Sequence, residues 1–277
     1  MSKLGIIAGG GDLPRAVAQS ARADGREVYV IALAGSLTED WVAGFPHEFS
    51  ALGTPGQAFK SLRREGITEL LLAGRLDRPR FSDLKLDARG VMLLPRALAA
   101  AKKGDDALLR FLVAMFEEEG FRAVSVAEAA PGLVCGEGNL GRHVPDDQHR
   151  ADMAQAFAIV AALGALDVGQ AAVVCEGLAL SVEAAEGTDA MLARVGGLRE
   201  ALRGTPRNRR GVLVKALKPT QDTKTDMPVI GTATLETAAA AGLAGIGLQA
   251  GGALIMDKAL VAARADALGL FVMGVKL

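Results

Sequence analysis

Aromatic residues make up only 4% of this 277-residue chain, with one Trp, one Tyr and nine Phe. Single-stranded nucleic acid needs stacking platforms interleaved with cations, and that pattern is missing. The core has to be built from Ala, Val, Leu and Ile in close helix–strand contact. Cysteine is scarce too: Cys135 and Cys175 stand alone, without a C-x-x-C pair or a His at metal-ligand spacing. Such usage fits a reducing cytosol and not a disulfide framework. Excess charge of one sign is lacking, since the formal net charge is −1, and no global field draws in nucleic acid. No apolar run reaches the roughly 20 residues of a transmembrane helix. The most apolar stretch, Met153–Leu166, is interrupted by Gln155 and Gly164. The N-terminus passes from one Lys into strand-like sequence, which predicts no signal peptide. The expected location is the cytoplasm, with contact at a membrane surface left open. No G-x-S-x-G or H-E-x-x-H motif is present, which removes the commonest serine-hydrolase and zinc-protease readings. His47, His143 and His149 form no recognisable nucleophile–base pair.

What is present is a soluble α/β pattern, 50% apolar and 23% charged. Leu4–Ala8 reads as a strand ended by Gly9-Gly10-Gly11, and Pro14 suits the first turn of a following helix. Strand-like EVYVIAL at 27–33 and ITELLLA at 67–73 flank a helix begun by Thr54-Pro55 and stopped by Gly66. Strands separated by helices of this length predict βαβ units and a mostly parallel, Rossmann-like sheet. From Ala130 to Asp147 the periodicity lapses into a Gly/Pro-rich stretch. The expected organisation is an N-terminal Rossmann-like domain over 1–130, a linker over 131–147 and a C-terminal α/β catalytic domain over 148–277. Asp146 or Asp147 is placed to cap the helix that opens the second domain.

Three places invite chemistry. In IAGGGDLP, a glycine turn between strand and helix lets backbone N–H groups approach a phosphate. Gly9 and Gly11 fit G-x-G-x-x-G, but Pro14 takes the third glycine's place, and no acidic residue follows the second strand to hold a ribose. A tight structural turn and a nucleotide site that is not for NAD both remain open, with Gly74-Arg75 as a candidate border. The run Glu183–Asp189 reads as a helix start with Thr188 as cap, and Glu183 and Glu186 as ordinary solvated carboxylates unless something brings a cation near them. Between Lys215 and Gly231, Asp222 and Asp226 lie four apart among Lys215, Lys218, Gln221 and Lys224. Carboxylates are the oxygen ligands Mg²⁺ prefers, and lysines neutralise phosphate oxygens. A mixed-charge surface loop explains the same residues. The basic patch Arg203, Arg207, Arg209, Arg210 reads as a solvated face or a surface for phosphates or anionic lipid.

IAGGGDLP, EGTDAML at 186–192, VKALKPTQDTKTDMPVIGTAT at 214–234 and GLAGIGLQAGGALIMDK at 242–258 together resemble the UDP-2,3-diacylglucosamine pyrophosphatases of lipid A biosynthesis, of the type found in alphaproteobacteria and distinct from the calcineurin-like metallophosphoesterases. The resemblance runs the length of the chain. It implies Mg²⁺-dependent hydrolysis of UDP-2,3-diacylglucosamine to UMP and 2,3-diacylglucosamine 1-phosphate, with water attacking the sugar-side phosphorus. It also implies a homodimer whose domains close around the acylated sugar, with room for peripheral contact at the inner membrane. By position, Asp226 is the essential acid and Asp222 helps hold metal or water. Lys215 and Gln221 contact phosphates, Gly10, Gly11, Asp12 and Leu13 line the nucleotide or phosphate pocket, and Thr188 and Asp189 face it. The apolar stretches at Met153–Leu166 and Met92–Leu98 offer surface for acyl chains, and core packing accounts for them equally. A carrier that binds nucleotide or lipid without catalysis, and a nicotinamide oxidoreductase, are the competing readings.

Overall fold

The computed structural model describes residues 2–35, 40–76, 81–218 and 227–277. It divides into two compact units, the first running to Gly132 and the second beginning at Leu133. Each is an α/β unit, as the alternation of strand and helix patterns predicts.

In chain order the first unit contains β1 (Leu4–Ala8), α1 (Leu13–Ala23), β2 (Val28–Leu33), β3 (His47–Ser50), α2 (Pro55–Arg64), β4 (Glu69–Ala73), α3 (Ala88–Ala101), α4 (Asp105–Glu118), β5 (Arg122–Ala123) and α5 (Val126–Ala129). The strands form one sheet in the order β3-β2-β1-β4-β5, and every pairing is parallel. β1 and β2 are buried at every position, as strands covered on both faces must be. Ile7, Ile31, Leu62 and Leu70 pack with Phe59, Phe116 and Phe121, and Phe59 meets Phe116 edge to face at 5.4 Å. Few though they are, the aromatics concentrate here, where each buries a large area in one place. β5 is short: its pairing with β4 stops at Ala123, and Ser125 opens α5 with a capping box completed by Glu128.

The second unit contains β6 (Gly138–Leu140), α6 (Asp147–Ala165), β7 (Ala171–Cys175), β8 (Leu178–Val182), α7 (Gly187–Gly196), β9 (Val212–Lys215), β10 (Val229–Ile230), α8 (Thr232–Ala240), β11 (Gly245–Gln249), β12 (Leu254–Ile255), α9 (Lys258–Leu268) and β13 (Phe271–Val275). Its main sheet has the order β6-β13-β11-β9-β7-β8. The centre is parallel, while β6, β7 and β8 join antiparallel. β10 and β12 form a separate parallel pair. The stretch read as a linker is not structureless: residues 138–140 form an edge strand, and the Cys135 N–H donates to the Ala253 carbonyl at 2.8 Å. Asp146 caps α6, accepting from the His149 N–H at 2.8 Å.

Along β9, side chains alternate between the two faces of the sheet with a period of two. Val212 and Val214 pack with Met153, Phe157 and Val160 of α6 on one face. Leu213 packs with Met191, Leu235 and Val261 of α7, α8 and α9 on the other. The same alternation turns Lys215 toward the start of α7.

Candidate functional site

In the first unit, the glycine turn after β1 lies against the chain leaving β4. Gly9 donates to the Ala73 carbonyl at 2.8 Å, and Gly10 and Arg75 exchange two backbone hydrogen bonds, at 2.8 and 2.7 Å. A methyl group on Gly9 would sit 2.5 Å from the Arg75 carbonyl oxygen, so the approach itself requires glycine. Gly10, Gly74 and Arg75 are thus brought together at the carboxyl ends of neighbouring strands, where open α/β sheets bind ligands. The N–H groups of Gly9 and Gly10 are committed to the sheet, which leaves those of Gly11, Asp12 and Leu13 at the start of α1 to meet an anion. Asp12 is the N-cap residue, but its side chain makes no capping hydrogen bond and is exposed.

The amino ends of β1 and β4 border a different feature, a cavity of about 500 Å³ lined by Ser2, Asp24, Arg26, Glu69, Glu128, Ala129 and Pro131. Its Glu69 and Arg26 are already paired: Glu69 accepts from Arg26 at 2.7 Å and from Arg122 at 2.6 Å. None of the residues expected from the sequence to bind substrate lies in it.

In the second unit, a polar cluster is buried at the carboxyl end of β9. Lys215 is only 6% exposed. Its ammonium donates to Thr188 Oγ1 at 2.9 Å and to the Val229 carbonyl at 3.1 Å. The Thr188 hydroxyl donates to Glu183 Oε1 at 2.6 Å, and Glu183 Oε2 accepts the Gln170 N–H at 3.1 Å. Two expectations are corrected here. Thr188 does not cap α7, because the N-cap is Glu186, and the Thr188 hydroxyl is spent on Glu183 and Lys215. Glu183 is not a solvated carboxylate, because the end of β8 carries it into the sheet's buried edge. One signal of this lies in the residue order, an acidic residue directly after an alternating strand, and it is too common to be diagnostic. Asp189, in the first turn of α7, is exposed.

Lys215 also ties the two ends of the acidic loop, since it lies on the strand before it and bonds the strand after it. Leu217 donates to Gln249 Oε1 at 2.9 Å, Lys218 pairs with Asp167 at 2.8 Å, and Leu254 donates to the Pro228 carbonyl at 2.8 Å. Gln221, Asp222 and Asp226 lie outside the described residues.

The basic patch is largely internal wiring. Arg203 donates to the Leu198 and Gly204 carbonyls, Arg209 to the Ala239 carbonyl, and Arg210 to Glu176 and the Arg203 carbonyl. Burial pushes the Arg209 guanidinium below its ordinary pKa. Of the two apolar stretches, Met153, Phe157 and Val160 of α6 are core, whereas in α3 Leu93 is buried and Met92 and Leu98 are exposed. Burial raises both cysteine thiols above their usual range, which makes them poor nucleophiles.

Residues 3–133 match the LpxI N-terminal domain and residues 136–273 match the LpxI C-terminal domain. The chain belongs to the LpxI family. It is 48% identical over 275 residues to a protein of Caulobacter vibrioides named UDP-2,3-diacylglucosamine pyrophosphatase LpxI, a match covering 99% of this chain and 98% of the relative. The expectation of magnesium-dependent hydrolysis is corrected at this point. The name of that LpxI protein carries pyrophosphatase action and no metal requirement. Among the described residues, no three His, Cys, Asp or Glu side chains stand together as a metal site. Glu183, the buried carboxylate of the Lys215 cluster, has its oxygens committed to Thr188 and Gln170. The relative's name thus carries the hydrolysis without a metal requirement, and Asp222 and Asp226, the carboxylates expected to hold magnesium, lie outside the described residues. No helix among the described residues is long and apolar enough to cross a membrane.

Proposed function

We propose that this chain is a pyrophosphatase acting on UDP-2,3-diacylglucosamine. The observation that carries the reading is identity of 48% over essentially the whole of both chains with the Caulobacter protein of that name. The buried cluster supports it. Cleavage of a diphosphate builds negative charge on phosphoryl oxygens, and a fixed ammonium in a poorly solvated setting stabilises such charge without reorganising. Lys215 supplies that ammonium, with Thr188 holding it, and Gln221 joins it at the phosphates. The free N–H groups of Gly11, Asp12 and Leu13, beside Gly10, Gly74 and Arg75, receive the nucleotide's phosphate. Asp226 is the essential carboxylate, with Asp222, four residues before it, to orient the water, and Asp189 faces substrate from α7. Function as a homodimer with peripheral contact at the inner membrane belongs to the same proposal, since the substrate carries two acyl chains.

The test is incubation of the purified protein with UDP-2,3-diacylglucosamine and chromatography of the uridine products. Release of UMP at a rate proportional to enzyme is expected, and in ¹⁸O-water the label is expected on the sugar phosphate. Binding of substrate without turnover would leave a carrier instead of an enzyme. Label on UMP would overturn attack at the sugar-side phosphorus.

A further inference from the structure

Glu183 is a buried carboxylate of the Lys215 cluster that the proposed chemistry leaves without a task. It is 6% exposed, as is Lys215, and one hydroxyl separates the two charges. Burying a carboxylate is costly unless it is hydrogen-bonded and lies near an opposite charge; here each oxygen accepts a protein hydrogen bond, and the Lys215 ammonium lies one hydroxyl away.

The position of Glu183 is set by backbone. Its N–H donates to the Ala171 carbonyl at 2.9 Å, continuing the β7–β8 pairing by one residue. On its other side the chain passes so close that a methyl group on Gly169 would lie 2.0 Å from the Glu183 carbonyl oxygen. The carboxylate therefore hangs from a fixed point, with the Gln170 N–H on Oε2 and the Thr188 hydroxyl on Oε1.

A threonine hydroxyl has one proton. Here it goes to Glu183 at 2.6 Å, the short distance of a charge-assisted O–H···O⁻ bond. The lone pairs of the Thr188 oxygen are thereby turned to Lys215, which donates to it at 2.9 Å. The ammonium is oriented by a hydroxyl that can only accept, together with the Val229 carbonyl at 3.1 Å. Gly187, at φ +80°, lets the chain turn from the end of β8 into α7 so that Thr188 faces back toward Glu183.

We propose that Glu183 is a positioning residue that sets the Lys215 ammonium through the Thr188 hydroxyl; the proposal rests on the pyrophosphatase reading, in which Lys215 meets the diphosphate. Glu183 touches no reacting atom. Its oxygens are occupied by protein donors, and its effect on turnover passes through Thr188 alone.

That route makes a specific demand on double variants, because residues acting in one chain are not additive. Glu183→Gln keeps the shape and removes the charge. Thr188→Val removes the relay, and Thr188→Ser retains it. With UDP-2,3-diacylglucosamine as substrate, Glu183→Gln and Thr188→Val are each expected to lose about 10- to 100-fold in kcat/KM, and Thr188→Ser less than about 3-fold. The double variant Glu183→Gln/Thr188→Val is expected to fall no further than Thr188→Val. Wild-type turnover by Glu183→Gln, or losses that multiply in the double variant, would overturn the proposal.

A second measurement needs no activity. Acetylation of lysines by a sulfosuccinimidyl ester, read by peptide mass spectrometry, is expected to modify Lys215 slowly in wild type and in Thr188→Ser. In Glu183→Gln and Thr188→Val the rate is expected to rise about tenfold, while the thermal midpoint of Glu183→Gln stays close to wild type. If wild type releases no UMP, the pyrophosphatase reading fails and the acetylation rates alone decide. Lys215 labelled equally in wild type and Glu183→Gln then sinks the positioning role.

Discussion

Replacing Gly74 by Ala is expected to destabilise the first unit by about 3 kcal/mol, the sum of two separable costs. Gly74 has φ +90°, a conformation that costs an L-residue about 1–2 kcal/mol. A methyl group there would also lie 2.7 Å from the Gly10 carbonyl oxygen and 2.7 Å from Pro14 Cγ. Neither neighbour is the free end of a flexible side chain, so the Gly10–Arg75 bridge must open, at about 1–2 kcal/mol for overpacking. Gly11 supplies the control. Its φ is +86°, yet a methyl group on it would meet nothing within 4 Å. Gly11→Ala carries the conformational cost alone, about 1 kcal/mol. At about 4 °C per kcal/mol for a unit of this size, the first unit of Gly74→Ala should melt about 12 °C lower and that of Gly11→Ala about 4 °C lower. Circular dichroism melts and urea titrations of the three proteins provide the assay. Equal losses in the two variants would show that the close approach of the β1 turn to the β4 exit contributes nothing, which would refute the reasoning about that crevice.

Other outcomes rest on the same geometry. The Ser2 hydrogen bond, with Arg122 and Arg26, holds the Glu69 carboxyl at about 2 instead of its ordinary 4.5. A depressed carboxylate contributes stability that is present above the unfolded value and lost as pH falls toward the folded one. Between about pH 5 and pH 2.5, wild type should therefore lose about 1 kcal/mol more than Glu69→Gln, the figure being held down by solvent around the pair; parallel urea curves at the two pH values would contradict this. Asp152, 1% exposed, accepts from the Glu176 N–H at 2.9 Å, the Gly177 N–H at 2.8 Å and Gln148 Nε2 at 3.0 Å. Asp152→Ala orphans the donors of the β7–β8 turn and should cost about 3 kcal/mol in chemical denaturation; a loss under about 1 kcal/mol would mean that water replaces the carboxylate. Asp226→Asn should keep the wild-type melting curve and substrate affinity while turnover falls at least about 100-fold; near-normal turnover would remove Asp226 from the chemistry.

Much of the architecture is legible in residue order alone. The run Leu4–Ala8 is a strand at those bounds, and Pro14 lies in the first turn of the helix that follows, as expected. These elements announce themselves through local period and turn chemistry, which depend on neighbours a few residues away. The misses have a common cause. β6 is invisible in sequence because Gly-Asn-Leu makes no period, and only pairing with β13 makes these three residues a strand. The basic patch looks solvated because its partners are carbonyls, and a sequence shows residue types, not which carbonyl lies nearby. Thr188 looks like a cap because Gly-Thr-Asp is good capping chemistry, but a buried carboxylate outcompetes the helix end for its hydroxyl.

The acidic loop, the glycine turn and family membership are properties of residue order, and the sequence alone determined them. Its motifs mark positions, since a motif records which residue types recur at which spacing. The tertiary structure decided the state of each position. It spent the N–H groups of Gly9 and Gly10 on the sheet, left those of Gly11 to Leu13 available, and committed three of the arginines to internal carbonyls. It also made Glu183 a buried partner of Thr188 and, through it, of Lys215, residues 5 and 32 positions along the chain. Burial of a charge is a property of what packs around it. For Glu183 that environment is assembled from β7, β8, β9 and α7, and no stretch of sequence read by itself contains it.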